Sequence, residues 1–177
     1  MAQFPDLSKI RAFAFDVDGV MTDGGLLGVL EGEFYRTYDA KDGFAVRMAS
    51  MNGYHLAVIT GGSSLSIRDR FKASGVPEDD IYLHSRDKME DFLKFCDKHG
   101  ILPENVMYFG DDVPDAEVIA ACGVGVCPSD AVEEAKAVAD YISPFPGGKG
   151  CIRECFEAVM KSQGHWNFDT SIYKKKF

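Results

Sequence analysis

The chain has 177 residues, 46% of them hydrophobic, with 19 basic and 28 acidic side chains and a net charge of −9. That is one domain's length with ample apolar content for a core, which excludes a disordered or collagen-like chain. The acidic balance repels polyanions, so nucleic acid is not an expected partner.

Nor is a membrane: no apolar run approaches the roughly 18–20 residues of a spanning helix, and the opening MAQFPDLSKIRAF lacks a secretory layout, so a cytoplasmic location is expected. The first element covers residues 11–17, a short, continuously apolar run ending in Asp16-Val17-Asp18-Gly19, the pattern of a strand covered on both faces. Residues 24–38, rich in Gly, Leu, Val and aromatics around Glu31-Gly32, read as a projecting hairpin. Helical periodicity at 44–52 precedes a second apolar run at 55–60, which ends in Thr60-Gly61-Gly62. A helix at 63–74, a run at 81–84 and a helix at 88–99 follow. The run at 106–109 ends in Gly110-Asp111-Asp112, and beyond it come a helix at 116–121, a run at 124–127 and helices at 131–139 and 152–162. Residues 144–150, PFPGGKG, hold too many prolines and glycines for regular structure and are expected to form a mobile loop. Lys174 to Phe177 reads as a solvated tail.

Strand and helix alternate, which predicts an α/β fold with a doubly wound, mainly parallel sheet and right-handed crossovers. A single domain over 1–177 is expected, with the hairpin at about 24–38 and a C-terminal loop and tail at about 144–177. The five cysteines, at 96, 122, 127, 151 and 155, are odd in number and lack C-x-x-C spacing, so they read as reduced core thiols. The four histidines are scattered and suggest no chemistry.

In open parallel sheets ligands bind beyond the carboxyl ends of the strands. Asp16 and Asp18, then Asp111, Asp112 and Asp115, fall there together with Thr60, and Lys88 opens the helix after the third run. Carboxylates gathered in this way repel one another unless a cation joins them. Oxygen donors without imidazole or thiolate favour Mg²⁺, and the Thr60 hydroxyl and Lys88 ammonium add donors for an anion beside it. That set suits phosphoryl transfer. Taken singly, D-x-D-G serves as a turn and G-D-D as a helix cap; the joint order at successive strand ends carries the chemistry.

The same order, D-x-D-G, Thr, Lys and G-D-D-x-x-D, resembles the haloacid dehalogenase superfamily of phosphatases over about residues 16–115. The resemblance implies Asp16 as nucleophile, Asp18 as acid and then base, Thr60 and Lys88 on the phosphoryl group, and Mg²⁺ on Asp16, the Asp18 backbone carbonyl and Asp111, with Asp112 and Asp115 supporting. DVDGVMTDG from Asp16, KDGFAVR from Lys41 and GGKGCIRE from Gly147 narrow the likeness to the 3-deoxy-D-manno-octulosonate 8-phosphate phosphatases, cytoplasmic Mg²⁺-dependent homotetramers of lipopolysaccharide sugar synthesis. Lys41, Asp42, Gly43 and Arg47 then belong to the sugar site, with Asp39, Gly61 and Arg70 beside them and Asp18 and Lys88 at the phosphoryl end. Arg70 is the residue expected to grip the sugar carboxylate. Position 62 is Gly where many relatives carry Arg.

Only 43 residues separate Asp16 from Thr60 and 27 separate Thr60 from Lys88, too few for a cap domain once a hairpin, two helices and a strand are subtracted. An uncapped site needs other cover, and hairpins packed between subunits are expected to supply it, with the loop 147–150 reaching a neighbour. Two alternatives stay open: a phosphatase of a nine-carbon ulosonate 9-phosphate, and a non-enzymatic receiver domain, whose phosphorylated Asp would stand alone after the third strand.

Overall fold

The structure, a computed structural model, describes residues 4–167. The tail expected at Lys174 to Phe177 lies outside them. A six-stranded sheet runs in the order β5-β4-β1-β6-β7-β8, every neighbouring pair parallel. Its strands are β1 Ala12–Phe15, β4 His55–Ile59, β5 Ile81–Tyr82, β6 Val106–Phe109, β7 Val124–Cys127 and β8 Tyr141–Ile142. The doubly wound α/β arrangement anticipated from the sequence is the one observed.

Strand β1 explains the architecture in four residues. Phe13 and Phe15 point to one face and Ala12 and Ala14 to the other, as period 2 requires, and all four are buried. The bulky face packs on α1 Ala40–Met51, α2 Leu65–Ala73 and α6 Cys151–Ser162 through Phe71, Val46 and Phe156; the Phe13 and Phe156 rings stack with centroids 3.8 Å apart. The small face admits α3 Lys88–His99 and α4 Ala116–Ala121, whose Phe92, Phe95 and Ile119 meet Tyr108. Each fully buried phenylalanine contributes roughly 1.5–3 kcal/mol of transfer free energy. Four of the five cysteines are buried, Cys122 is partly so, and all are free thiols.

Local signals set the helix ends. Asp87 caps α3 by accepting from the Glu90 N–H at 2.9 Å, and Gly100 closes it at φ 62°, the left-handed conformation glycine adopts freely. Helix α1 begins at Ala40, earlier than the periodicity suggested, because Asp39 accepts from the Lys41 and Asp42 N–H groups and Gly43 continues the helix rather than breaking it. The helix expected at 131–139 shrinks to one turn, α5 Glu133–Lys136. Strand β8 is too short to leave a sequence pattern.

The hairpin is present as β2 Leu27–Gly28 and β3 Phe34–Tyr35, joined through a turn where Glu31 takes φ 66°. Between β1 and β4 lie only this hairpin and α1, and between β4 and β5 little beyond α2, so no cap domain intervenes. The segment 144–150 is the irregular loop expected, and it is tied to its own chain. Gly147 N–H donates to Asp130 at 2.9 Å, Gly148 N–H to the Val20 carbonyl at 2.8 Å and Gly150 N–H to Asp42 at 3.1 Å. A Cβ on Gly147 would stand 1.9 Å from the Gly19 carbonyl oxygen, so glycine here permits contact with the D-x-D-G loop.

Candidate active site

Because β4, β1 and β6 are neighbours, their carboxyl ends deliver Thr60, Asp16 and Asp111 to one shelf. They line a cavity of about 360 Å³ together with Asp18, Gly61, Lys88, Asp112 and Asp115. Gly19 follows at φ 88°; a Cβ there would fall 2.0 Å from Asp111 Oδ2, which is why the turn after the paired acids ends in glycine.

Lys88 holds the shelf together. Its ammonium lies 2.7 Å from Asp16 Oδ2 and 2.7 Å from Asp115 Oδ1, with all three side chains nearly sealed from water. Tyr108 donates to the same Asp115 oxygen at 2.6 Å, and the other Asp115 oxygen accepts from the Asp111 and Asp112 N–H groups at 3.3 and 3.4 Å. Asp115 is therefore fully engaged. Burial alone would lower the Lys88 pKa, but Asp16 and Asp115 outweigh it and raise it.

Burial first, and Asp115 after it, push the Asp16 carboxyl up to about 6 despite Lys88. Burial, Asp16 and Asp115 push Asp111 up to about 7. Oxygens of Asp16, Asp111 and Asp115 lie within 4.8 Å of one another. Asp111 Oδ1 is buried with no hydrogen-bond partner. An orphaned carboxylate oxygen in a self-repelling, all-oxygen cluster is the setting a hard divalent cation fits, and Mg²⁺ suits those donors.

Asp18 is tied elsewhere. Both of its oxygens accept from Arg36, at 2.6 Å from Nε and 2.9 Å from Nη2, and Arg36 Nη1 donates to Ser64 Oγ at 3.1 Å. Thr60 is buried at the end of β4, and its hydroxyl oxygen accepts from the Gly62 N–H at 3.2 Å. Asp112 is exposed and caps the turn Val113–Asp115, accepting from the Val113 N–H at 2.7 Å.

Of the residues assigned to the substrate, Gly61 lines this cavity with Asp18 and Lys88, whereas Asp39, Lys41, Asp42, Gly43, Arg47 and Arg70 do not line it in the single chain. Asp39 caps α1. Asp42 is buried under α6, accepting from the Gly150 and Arg153 N–H groups at 3.1 and 2.8 Å, and burial raises its pKa. Gly43 makes room for Arg70, whose Nη2 would stand 2.1 Å from a Cβ there; Arg70 also donates to Ser74 and lies over the Tyr38 ring. Arg47 reaches the Gly75 turn at the far end of α2, and Lys41 lines a separate hollow with Phe145 and Arg153. Sequence reasoning missed Arg36, Arg86 and Tyr108. Tyr108 sits one residue from the end of an apolar run, a readable position; Arg36 comes from the hairpin, and nothing local marks it.

A profile of haloacid dehalogenase-like hydrolases matches residues 67–150. The 3-deoxy-D-manno-octulosonate 8-phosphate phosphatase KdsC of Escherichia coli is 33% identical over 156 residues, which is 88% of this chain and 82% of that one. Its Haemophilus influenzae counterpart is 31% identical over 93% of this chain and 91% of its own. Among solved structures, the Moraxella catarrhalis 3-deoxy-D-manno-octulosonate 8-phosphate phosphatase, in complex with a magnesium ion, a phosphate ion and a KDO molecule, superposes with a TM-score of 0.85 at 33% identity, covering 96% of this chain and 95% of that one.

Proposed function

The chain belongs to the 3-deoxy-D-manno-octulosonate 8-phosphate phosphatases of the haloacid dehalogenase-like hydrolase family, and from that membership we propose that it cleaves this ester to the free sugar acid and phosphate through an aspartyl-phosphate on Asp16. The observation that carries the reading is the buried Asp16–Lys88–Asp115 triplet beside the unpartnered oxygen of Asp111.

Asp16 attacks phosphorus in line, and its oxygen forms the new bond as the sugar oxygen leaves. Asp18 gives its proton to that leaving oxygen, then takes one from the water that attacks phosphorus and frees Asp16. Lys88 and Thr60 hold phosphoryl oxygens through the ammonium and hydroxyl. Asp115, itself fixed by Tyr108 and two backbone N–H groups, keeps Lys88 aimed at Asp16. Asp16, Asp111 and the Asp18 backbone carbonyl would hold Mg²⁺, which when bound would supply positive charge against the negative charge of the phosphoryl group.

The whole of residues 1–177 serves as one catalytic domain working in a homotetramer in the cytoplasm, in lipopolysaccharide sugar synthesis. The hairpin supports the assembly: Leu27, Leu30 and Tyr35 are exposed, Leu30 at 88%, and apolar clusters of that kind mark protein interfaces. Packed hairpins would shield the shelf from water in place of a cap. Consistent with an aqueous compartment, no helix among the described residues is long and apolar enough to cross a membrane. Lys41, Arg47 and Arg70 act in the sugar pocket only if the assembled subunits bring them there.

Steady-state phosphate release from synthetic eight- and nine-carbon ulosonate phosphates, with and without Mg²⁺, tests the reading. It predicts Mg²⁺-dependent turnover and a kcat/KM favouring the eight-carbon ester; equal rates on simple hexose phosphates would refute the substrate.

A further inference from the structure

Among the described residues of the hairpin, Arg36 is the one hydrogen-bonded to a catalytic acid, and its side chain is only 3% exposed. Three contacts hold it: the paired bonds to Asp18, the bond to Ser64 Oγ, and a 3.3 Å bond from Nη1 to the Phe34 carbonyl. A guanidinium laid edge-on to a carboxylate with two parallel N–H bonds is the most selective cation–anion geometry in proteins, and Lys cannot reproduce it. The pair also has a chemical cost. To donate to a leaving oxygen Asp18 must carry a proton, taken from solvent, on an oxygen turned toward that group, and a guanidinium laid across both of its oxygens stands in the way.

The turn after β4 is bare where Arg36 lies. A Cβ on Gly62 would come within 3.3 Å of Arg36 Nη2 and 2.9 Å of Ile67 Cδ1, so a side chain at 62 and this placement of Arg36 compete for one space. Arg86 lines the same cavity, but it is exposed, and no ion pair holds it among the described residues.

We propose that Arg36 is a specificity-determining residue whose guanidinium passes from Asp18 to the carboxylate of the substrate, so that binding the correct ester opens Asp18 toward the leaving oxygen. The inference rests on the ulosonate reading above, since an ulosonate carries a carboxylate and a hexose phosphate does not. With an ester lacking that group nothing takes over the guanidinium, and Asp18 stays engaged. The hairpin thus couples recognition of one end of the substrate to chemistry at the other.

The test is kcat/KM of the Mg²⁺-loaded protein for 3-deoxy-D-manno-octulosonate 8-phosphate and for glucose 6-phosphate, in wild type, Arg36→Gln and Arg36→Lys. The ratio of the two values should fall at least about tenfold in Arg36→Gln, chiefly through the KM of the ulosonate ester, with Arg36→Lys between. An unchanged ratio, whether both activities fall together or neither does, overturns the role of Arg36. Should Arg36→Gln fail to fold by circular dichroism, the ratio in Arg36→Lys decides: a fall supports the proposal and no change overturns it. A wild-type ratio near one refutes the substrate reading itself, whereas a large wild-type ratio that survives Arg36→Gln refutes only the exchange.

Discussion

Two carboxylate–cation pairs meet at one cavity, Asp16 with Lys88 lining it and Asp18 lining it while held by Arg36, and they are built differently. Asp16 and Lys88 are fixed by the ends of central strands and the start of a capped helix, with Asp115 and Tyr108 bracing them from the core. Asp18 and Arg36 depend on a hairpin whose strands pair only through Leu27↔Tyr35 and Gly28↔Phe34 and whose outer face is exposed. The first pair is over-determined by the fold and carries the bond-making in the proposed mechanism. The second rests on a short projecting hairpin with two paired positions and suits a part of the site proposed to respond to what is bound. Chemistry on the shelf and recognition on the periphery is the division of labour that the proposed roles draw from this contrast.

The sharpest way to break the contrast is Lys88→Met. Removing the cation leaves Asp16 and Asp115 buried without their partner, and losing one member of a buried pair costs about 3–5 kcal/mol. Turnover should fall by several orders of magnitude and the melting temperature should drop; a variant with near-wild-type stability and rate would show that the shelf does not depend on this pair.

Next in size comes a pH effect confined to the shelf. Asp16 and Asp111 have folded pKa values of about 6 and about 7, raised above 3.8. The folded, metal-free protein therefore holds protons that the unfolded chain has already lost, so the stability these groups lend is present at low pH and is lost as pH rises through about 6 to 7. Mg²⁺ needs the ionised forms, so its affinity should climb over the same window and level off above it. Calorimetric titration with Mg²⁺ from about pH 5.5 to 8, paired with thermal melts of the metal-free protein, checks both signs. A flat affinity would contradict the burial argument.

How much of this was legible beforehand follows the same division. Helix α3 and the acids at the ends of β1 and β6 were readable because caps, glycines and apolar runs announce them locally. Strand β8 was not, since two residues carry no period, and the first turn of α1, opened by Asp39, lies before the periodicity at 44–52 begins. The Asp42-Gly43 pair looked like a ligand motif, yet in the single chain it joins α1 to α6 and seats Arg70. Arg36 was invisible because only the twist and register of the hairpin bring it over Asp18, 18 positions away in sequence.

The smallest effect on the fold and the clearest on assembly should come from the hairpin. Leu27→Glu with Leu30→Glu places charge where apolar side chains are exposed, and sedimentation velocity should show smaller species while Mg²⁺ affinity stays as in wild type. An unaltered sedimentation pattern would move the subunit contact elsewhere.

The central claim is that Asp16 captures phosphorus. Quenching the Mg²⁺-loaded protein during turnover with borohydride reduces an aspartyl-phosphate to homoserine, and peptide mass spectrometry should find that change at position 16 in the wild type and nowhere in Asp16→Asn, whose turnover should be lower by at least about 10⁴-fold. A label on another residue, or none while turnover proceeds, would contradict the account.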